Sequence, residues 1–478
     1  MTTTRRIRTM IWSALMVGCM TDALPAERRV AARSGGPTVI WNIPFADPEL
    51  DRAAPVLQED LNGDGRVETI VPVFGTVDQL WRVTPNGRKR LLRRFPYPFT
   101  PLGVSSGQLV AGGAKELVVT AQSVAPFGTG EVQAISWRGR LLWKVTLGPE
   151  EQSLTPVVAQ MDSDPEPEIV LSTVAPTHTF GQRGIYLLEH DGAFTWPERG
   201  IPAGLGCYLS QAAVGDLYGD GRPVIVRATC DPTPFNSLYL VEGNGTKRQI
   251  SGFSISSAVI VVDIDRIGPE EVVFGGKGYA AAYDAAAQRE IVRWTWEEGW
   301  VVNALAAGDW DQDGAPEVFV LAKSQGMVQV KVLTHEGGVS TLLLNPADRD
   351  QVTTGASELT VGNVDADGPL EVLAGLQMLV PTGQQPESLV YAWNVDGSVV
   401  TGFPLRVAEA SVQSVPVTAP ITANLADLDR DGQTEITLNH VGGLIAWDLP
   451  GAPFRAGWPT FRADSQRTAR VPMAVPSE

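Results

Sequence analysis

Histidine and cysteine are scarce in this chain, with four and three residues among 478. None of His178, His190, His335 and His440 lies in a metal or triad motif. Zinc frames and histidine-based nucleophilic sites therefore find no footing. A basic excess is missing as well. Lys and Arg total 37 against 54 Asp and Glu, a formal net charge of −17. That balance excludes a general nucleic-acid binder, because phosphates would meet no surplus of positive charge. The apolar run from Met10 to Gly18 is too short to span a bilayer, and no other stretch is long and apolar enough.

Hydrophobic residues make up 44% and charged residues 19%, too apolar a chain for disorder. The 49 Gly and 35 Pro follow no collagen period, so they imply many turns and an all-β fold. Length alone allows about three domains or one large repeat structure.

The acidic residues decide between these. A pattern of apolar strand, acidic loop and apolar strand recurs along the chain. Four copies are complete at loop positions 1, 3, 5 and 9. They are Asp60, Asn62, Asp64 and Glu68; Asp309, Asp311, Asp313 and Glu317; Asn363, Asp365, Asp367 and Glu371; and Asp427, Asp429, Asp431 and Glu435. Each has Gly at position 6. Four weaker copies start at Gln108, Gln160, Asp216 and Asp263. The copy at 160 keeps Asp162, Asp164 and Glu168. The copy at 263 has Ile267 at position 5, the copy at 216 lacks the Glu, and the copy at 108 keeps only Glu116. The last three are expected to hold no ion. The mean step between loops is about 52 residues, near the length of a four-stranded propeller blade.

A second register supports the first. Runs such as Ile185–Gly192, Leu238–Gly245, Val390–Gly397 and Leu444–Gly451 end in turn residues that tolerate positive φ. Each unit reads as strand A, acidic loop, strand B, strand C, turn and strand D. The fold expected is a single β-propeller of eight four-stranded blades, with seven as the alternative. The last unit lacks a strand D, and Thr38–Pro44 resembles one, as Leu141–Val145 does. Residues near 38–45 should close the ring by completing the last blade, which removes an exposed sheet edge.

Oxygen donors at positions 1, 3, 5 and 9 suit a hard cation such as Ca²⁺. The loops resemble those of the FG-GAP/VCBS repeat family, which includes the integrin α-chain propellers. The resemblance covers residues 38–450 and implies Ca²⁺ as cofactor at the four complete loops, with Asp162, Asp164 and Glu168 as a weaker set. A metal there is expected to be structural. Bound calcium would relieve repulsion within each loop, so binding energy becomes folding energy.

The N-terminus reads as a targeting segment, with Arg5, Arg6 and Arg8 ahead of the apolar run. Met16-Val17-Gly18-Cys19 resembles a bacterial lipobox, which implies lipidation of Cys19; plain secretion is the alternative. The organisation expected is signal peptide 1–18, linker 19–35, propeller 36–450 and a tail at 451–478 that packs Trp458 and Phe461 on the ring. Cys207 and Cys230 lie symmetrically about the fourth loop, so a disulfide between them is plausible, with two buried thiols as the alternative. Gly103-Val-Ser105-Ser-Gly107 matches a nucleophile elbow by letters only, because it lies in a strand with no helix after it. Trp393, Trp447, Tyr283 and Leu188 share one repeat position and are expected in the core between blades.

The function expected is an exported, calcium-stabilised adhesion module for an extracellular protein or glycan, with no catalytic residues. Membrane contact would run only through the lipid on Cys19. The alternatives are an enzyme resembling polysaccharide lyases on calcium-rich propellers, and a structural subunit of an envelope complex.

Overall fold

A computed structural model describes residues 36–470, less 46–54, 74–76, 97–98, 124–128, 149–150, 175–183, 197–199, 204–210, 230–235, 326, 344–351, 380–386, 409–421, 441–442, 461 and 465. Cys19, Cys207, Cys230, His178 and Phe461 lie outside the described residues. The chain folds into eight antiparallel blades arranged in a ring, an eight-bladed β-propeller, and the described residues contain no helix.

The first strands of the blades are Leu57–Glu59, Phe99–Gly107, Val157–Ala159, Ala213–Gly215, Ile260–Val262, Val301–Gly308, Val352–Gly362 and Ala423–Ala426. They lie innermost and pack against one another around the ring. Second strands such as Glu68–Val73 and Glu168–Val174 are buried along their whole length. Fourth strands such as Leu141–Thr146 and Lys247–Phe253 keep exposed positions at the rim. Apolar runs therefore occupy the middle of each blade, where both faces meet neighbouring blades. Leu188, Tyr283, Trp393 and Trp447 are all buried, in the core between blades.

Thr38–Pro44 pairs antiparallel with Gly443–Pro453 and completes the eighth blade. Its Trp41 also explains the likeness to Leu141–Val145. The Trp41 Nε1–H donates to Pro85 O at 3.0 Å in the turn of the next blade. Trp143 does the same to His190 O at 2.7 Å, Trp196 to Gly243 O at 2.8 Å and Trp294 to Thr334 O at 2.8 Å. Trp41, Trp143 and Trp294 thus tie an outer strand to the following blade, and Trp196 does so from the bend ahead of one. At Gly192, φ is +88° and a Cβ would sit 2.9 Å from the Trp143 ring, so glycine is required there.

The segment after the eighth blade is a plug that touches the first strand of blades 2 to 8 and the residue just ahead of the first strand of blade 1. Ala456–Trp458 pairs with Val352–Gly362 in blade 7, and Trp458 is buried. Leu425 N donates to Pro459 O at 2.8 Å, Val158 N to Gln466 O at 3.0 Å, Val214 N to Thr468 O at 3.0 Å and Val261 N to Ala469 O at 2.9 Å. Arg467 donates to Val56 O at 2.7 Å and Val104 O at 3.2 Å. Gly457 lies against Gly308 of blade 6. Arg462, Ala463, Arg467 and Ala469 all hold positive φ between 52° and 71°. Non-glycine residues rarely adopt that region, so the ring imposes this path on the tail.

Candidate metal centres

Every acidic loop joins the first and second strands of its blade, and one hydrogen bond shapes most of them. The Glu at position 9 stands at the start of the second strand, or two residues into it in blade 8, and turns its Oε2 back to accept the backbone N–H at position 2. The distances are 3.1 Å for Leu61 to Glu68, 3.0 Å for Leu109 to Glu116 and 2.5 Å for Met161 to Glu168. They are 3.0 Å for Ile264 to Glu271, 2.9 Å for Trp310 to Glu317, 2.7 Å for Val364 to Glu371 and 2.6 Å for Leu428 to Glu435. Blade 4 has Val224 at this place, and Glu270 of blade 5 accepts from Asp216 N at 2.7 Å instead. Positions 1, 3 and 5 fold the loop on itself. Asp427 accepts from Asp431 N at 3.1 Å and Gly432 N at 3.0 Å, and Asp365 accepts from Asp367 N at 2.8 Å. Such turns form equally in blade 4, so they do not by themselves mark a metal.

What marks a candidate centre is the gathering of carboxylates. In five loops, one oxygen from each acid lies within 4.8 Å of the others. The sets are Asp162, Asp164, Glu168 and Glu189; Asp263, Asp265 and Glu271; Asp309, Asp311 and Glu317; Asp365, Asp367 and Glu371; and Asp427, Asp429 and Glu435. These groups could hold a metal ion. Three of the four complete loops supply a set, without Asp313 and Asp431. The carboxylate of Asp313 takes Ala315 N at 2.7 Å, and that of Asp431 takes Gln433 N at 2.9 Å.

Two loops differ from the sequence expectation. In blade 5 the acids gather despite Ile267, because that side chain points to solvent at 76% exposure and leaves the other three in place. In blade 1, Asp60, Asn62, Asp64 and Glu68 form no such set among the described residues. Asn62 Nδ2 donates to Glu68 Oε1 at 2.7 Å, and Asp60 spends both oxygens on Gly63, Asp64 and Gly65 amides. The Arg430 guanidinium of blade 8 lies against Gly65, where a Cβ would collide with it, and Arg82 Nη1 stands 3.8 Å from Glu68. Positive charge fills part of the role a cation would have. The sequence frame also missed Glu189, which comes from the end of the third strand. Its signal was an acid just ahead of the turn His190-Asp191-Gly192.

Asn363 is buried, and its amide donates to Pro453 O at 2.9 Å while Oδ1 faces Asp365 N at 3.4 Å. The electrostatics follow from burial. Desolvation, with the loop aspartates adding repulsion, pushes Glu271, Glu371 and Glu435 up to about 8. The same causes push Glu168 and Glu317 to about 7. Glu168 Oε1 and Glu371 Oε1 are buried and have no hydrogen-bond partner in the protein. A buried carboxylate oxygen without a donor is costly, and a cation is the species that fits such a donor set.

Other motifs give no second centre. Ser105 is fully buried inside a strand. His190, His335 and His440 belong to blades 3, 6 and 8.

No protein-family model matches the chain, and no curated protein matches it. Among solved structures, the chain is similar to BBS1N in complex with ARL6DN, at 19% identity over 72% of this chain and 99% of that one, with a TM-score of 0.45. It is similar to the Dos1 propeller at 12% identity, over 88% and 98% of the two chains, with a TM-score of 0.46. It is also similar to the V. cholerae biofilm matrix protein Bap1 at 14% identity, over 92% and 96%, with a TM-score of 0.31. Likenesses at this level carry no argument about ligand or reaction.

Proposed function

We propose that this chain is an exported, calcium-binding propeller of the FG-GAP/VCBS type, acting as a cell-surface or secreted adhesion module for an extracellular protein or glycan. Lipidation of Cys19 would tether it. The observation that carries the metal reading is the buried, donorless Oε1 of Glu371, gathered with Asp365 and Asp367. The residues that would hold calcium are the acids of the five sets. Bound calcium would supply positive charge to carboxylates that otherwise repel, and would pin each hairpin to its blade. The module reading draws support from the plugged, cross-tied ring, a rigid platform whose loops and edges are free to recognise a partner.

The test is calorimetric titration of Ca²⁺ into chelator-treated protein, with thermal melting in both states. Calcium should bind at several loops and raise the melting temperature, whereas an identical melt with and without chelator removes the metal reading. Incubation with acidic polysaccharides should give no rise in ultraviolet absorbance. A steady rise abolished by boiling would replace the module with a lyase.

A further inference from the structure

The strongest departure from the acidic character of the chain is the outer strand of blade 1. Lys89–Phe95 carries Lys89, Arg90, Arg93 and Arg94, and Arg88 precedes it. No other fourth strand carries more than two basic residues. A charged edge strand ordinarily prevents edge-to-edge pairing, and the rest of the rim manages with far fewer charges. The excess therefore calls for a second reason.

Three observations point to a ligand. Arg82 and Arg90 stand directly opposite each other in the strand register, a like-charge pair that disfavours the sheet. The patch also has more donors than acceptors. Arg88, Arg90 and Arg94 are exposed and make no ion pair among the described residues, whereas Arg82 is already paired with Glu68. Finally, the patch continues into blade 2, whose turn packs on Leu92 at Gly139. There Arg138 and Arg140 border an open cleft of 480 Å³ with Val110, Ala111, Gly112, Trp137 and Glu116, whose buried carboxylate is held by Leu109 N and Val110 N. This cleft occupies the position where blades 3, 6, 7 and 8 carry acids at positions 3 and 5 of the loop.

We propose that the rim of blades 1 and 2 binds an anionic polysaccharide, one bearing carboxylates or sulfates at regular intervals. Guanidinium forks bind such groups in bidentate fashion. The register slips at Leu92, so Arg90 and Arg93 share one face of the strand with Arg82 while Lys89 and Arg94 share the other. The edge thus presents cationic side chains to both sides of a polymer that runs along it. A single-stranded nucleic acid would need free ring faces for its bases. Trp137 is already engaged by Arg138 at 4.5 Å and Arg82 at 5.1 Å. A bilayer would need apolar side chains to enter it, and Leu92 and Phe95 are buried. The proposal deepens the glycan half of the function above, and rests on it only for the export that brings the chain to such polymers.

The test is binding of the full chain, in calcium, to heparin, polygalacturonate, neutral dextran, duplex DNA and phosphatidylglycerol vesicles. Heparin or polygalacturonate should bind at low ionic strength and release as salt rises, and dextran should not bind. The R88Q/R90Q/R94Q variant should bind about tenfold or more weakly with an unchanged melt, because three charges are removed at exposed positions. The K247Q/R248Q variant, on the rim of blade 4, should bind as the parent does. Absence of binding to both acidic polymers overturns the proposal. So does undiminished binding by the triple variant, or tighter binding to DNA or vesicles. The calcium melt reads the metal centres alone, so the two failures are separable.

Discussion

The loops of blades 2 and 7 have the same backbone lock and opposite contents. Leu109 N donates to Glu116 Oε2 at 3.0 Å, and Val364 N donates to Glu371 Oε2 at 2.7 Å. Around Glu116 the loop is Val-Ala-Gly-Gly-Ala, whereas Glu371 shares its loop with Asp365 and Asp367. Burial raises both carboxyls, and at Glu371 the two aspartates beside it add repulsion and help push it up to about 8. The comparison separates two roles of position 9. One oxygen shapes the hairpin in every blade that carries this Glu, and the other could serve a cation only where acids gather. A Glu at position 9 is therefore a folding signal first.

The largest test of this separation is pH. In chelator, five glutamates hold folded-state values of about 7 to 8 against an ordinary 4.5. The folded state then keeps protons that the unfolded state has released, so stability falls as pH rises from about 4.5 to 8. Urea midpoints at pH 5, 6.5 and 8 should descend in chelator and level out in calcium. Midpoints that climb across this window in chelator would mean that the clusters carry no such strain.

A smaller effect separates the two loops directly. Gln keeps a carbonyl oxygen for the position 2 N–H, so Glu116→Gln should change stability by less than about 1 kcal/mol in either buffer. Glu371→Gln should lose roughly 2–4 kcal/mol of calcium stabilisation, the scale expected when a site saturated 100- to 1,000-fold above its Kd is lost. In chelator the same change should be neutral or stabilising, because a repelling charge has gone. Equal responses of the two variants in both buffers would collapse the distinction.

Much of the ring was readable because its signals repeat. The Asp-Gly turns and the position 9 glutamates recur in register, and Trp41 gave away the closing strand by matching Trp143. The plug was not readable in the same way. Its carbonyls at Pro459, Gln466, Thr468 and Ala469 accept from strands scattered over the whole chain, and four of its residues hold a backbone conformation that local preference disfavours. Nothing repeats there. The metal sets were legible as residue types but not as geometry. Asn62 fits the ligand pattern by letter, yet its amide donates to Glu68. Glu189 joins a set from another strand, which no loop motif contains.

Blade 5 allows the smallest and cleanest change. Its loop has the lock, with Ile264 N on Glu271 Oε2 at 3.0 Å, and a gathered set, but position 5 is Ile267. That side chain is 76% exposed, so replacing it removes almost no buried apolar surface. Ile267 N already donates to Asp265 Oδ1 at 2.8 Å, the same turn that Asp367 makes on Asp365. Ile267→Asp should therefore keep the loop shape and add one oxygen donor. Calcium should then stabilise the variant more than the parent by about 1 kcal/mol, read as the difference in urea midpoint between calcium and chelator. In chelator the added charge should lower stability slightly, because Asp263 and Asp265 already repel Glu271. Opposite signs in the two buffers are the signature of a ligand. A loss in both would make blade 5 a gathered set that a cation does not use, and would return it to the class of blade 2.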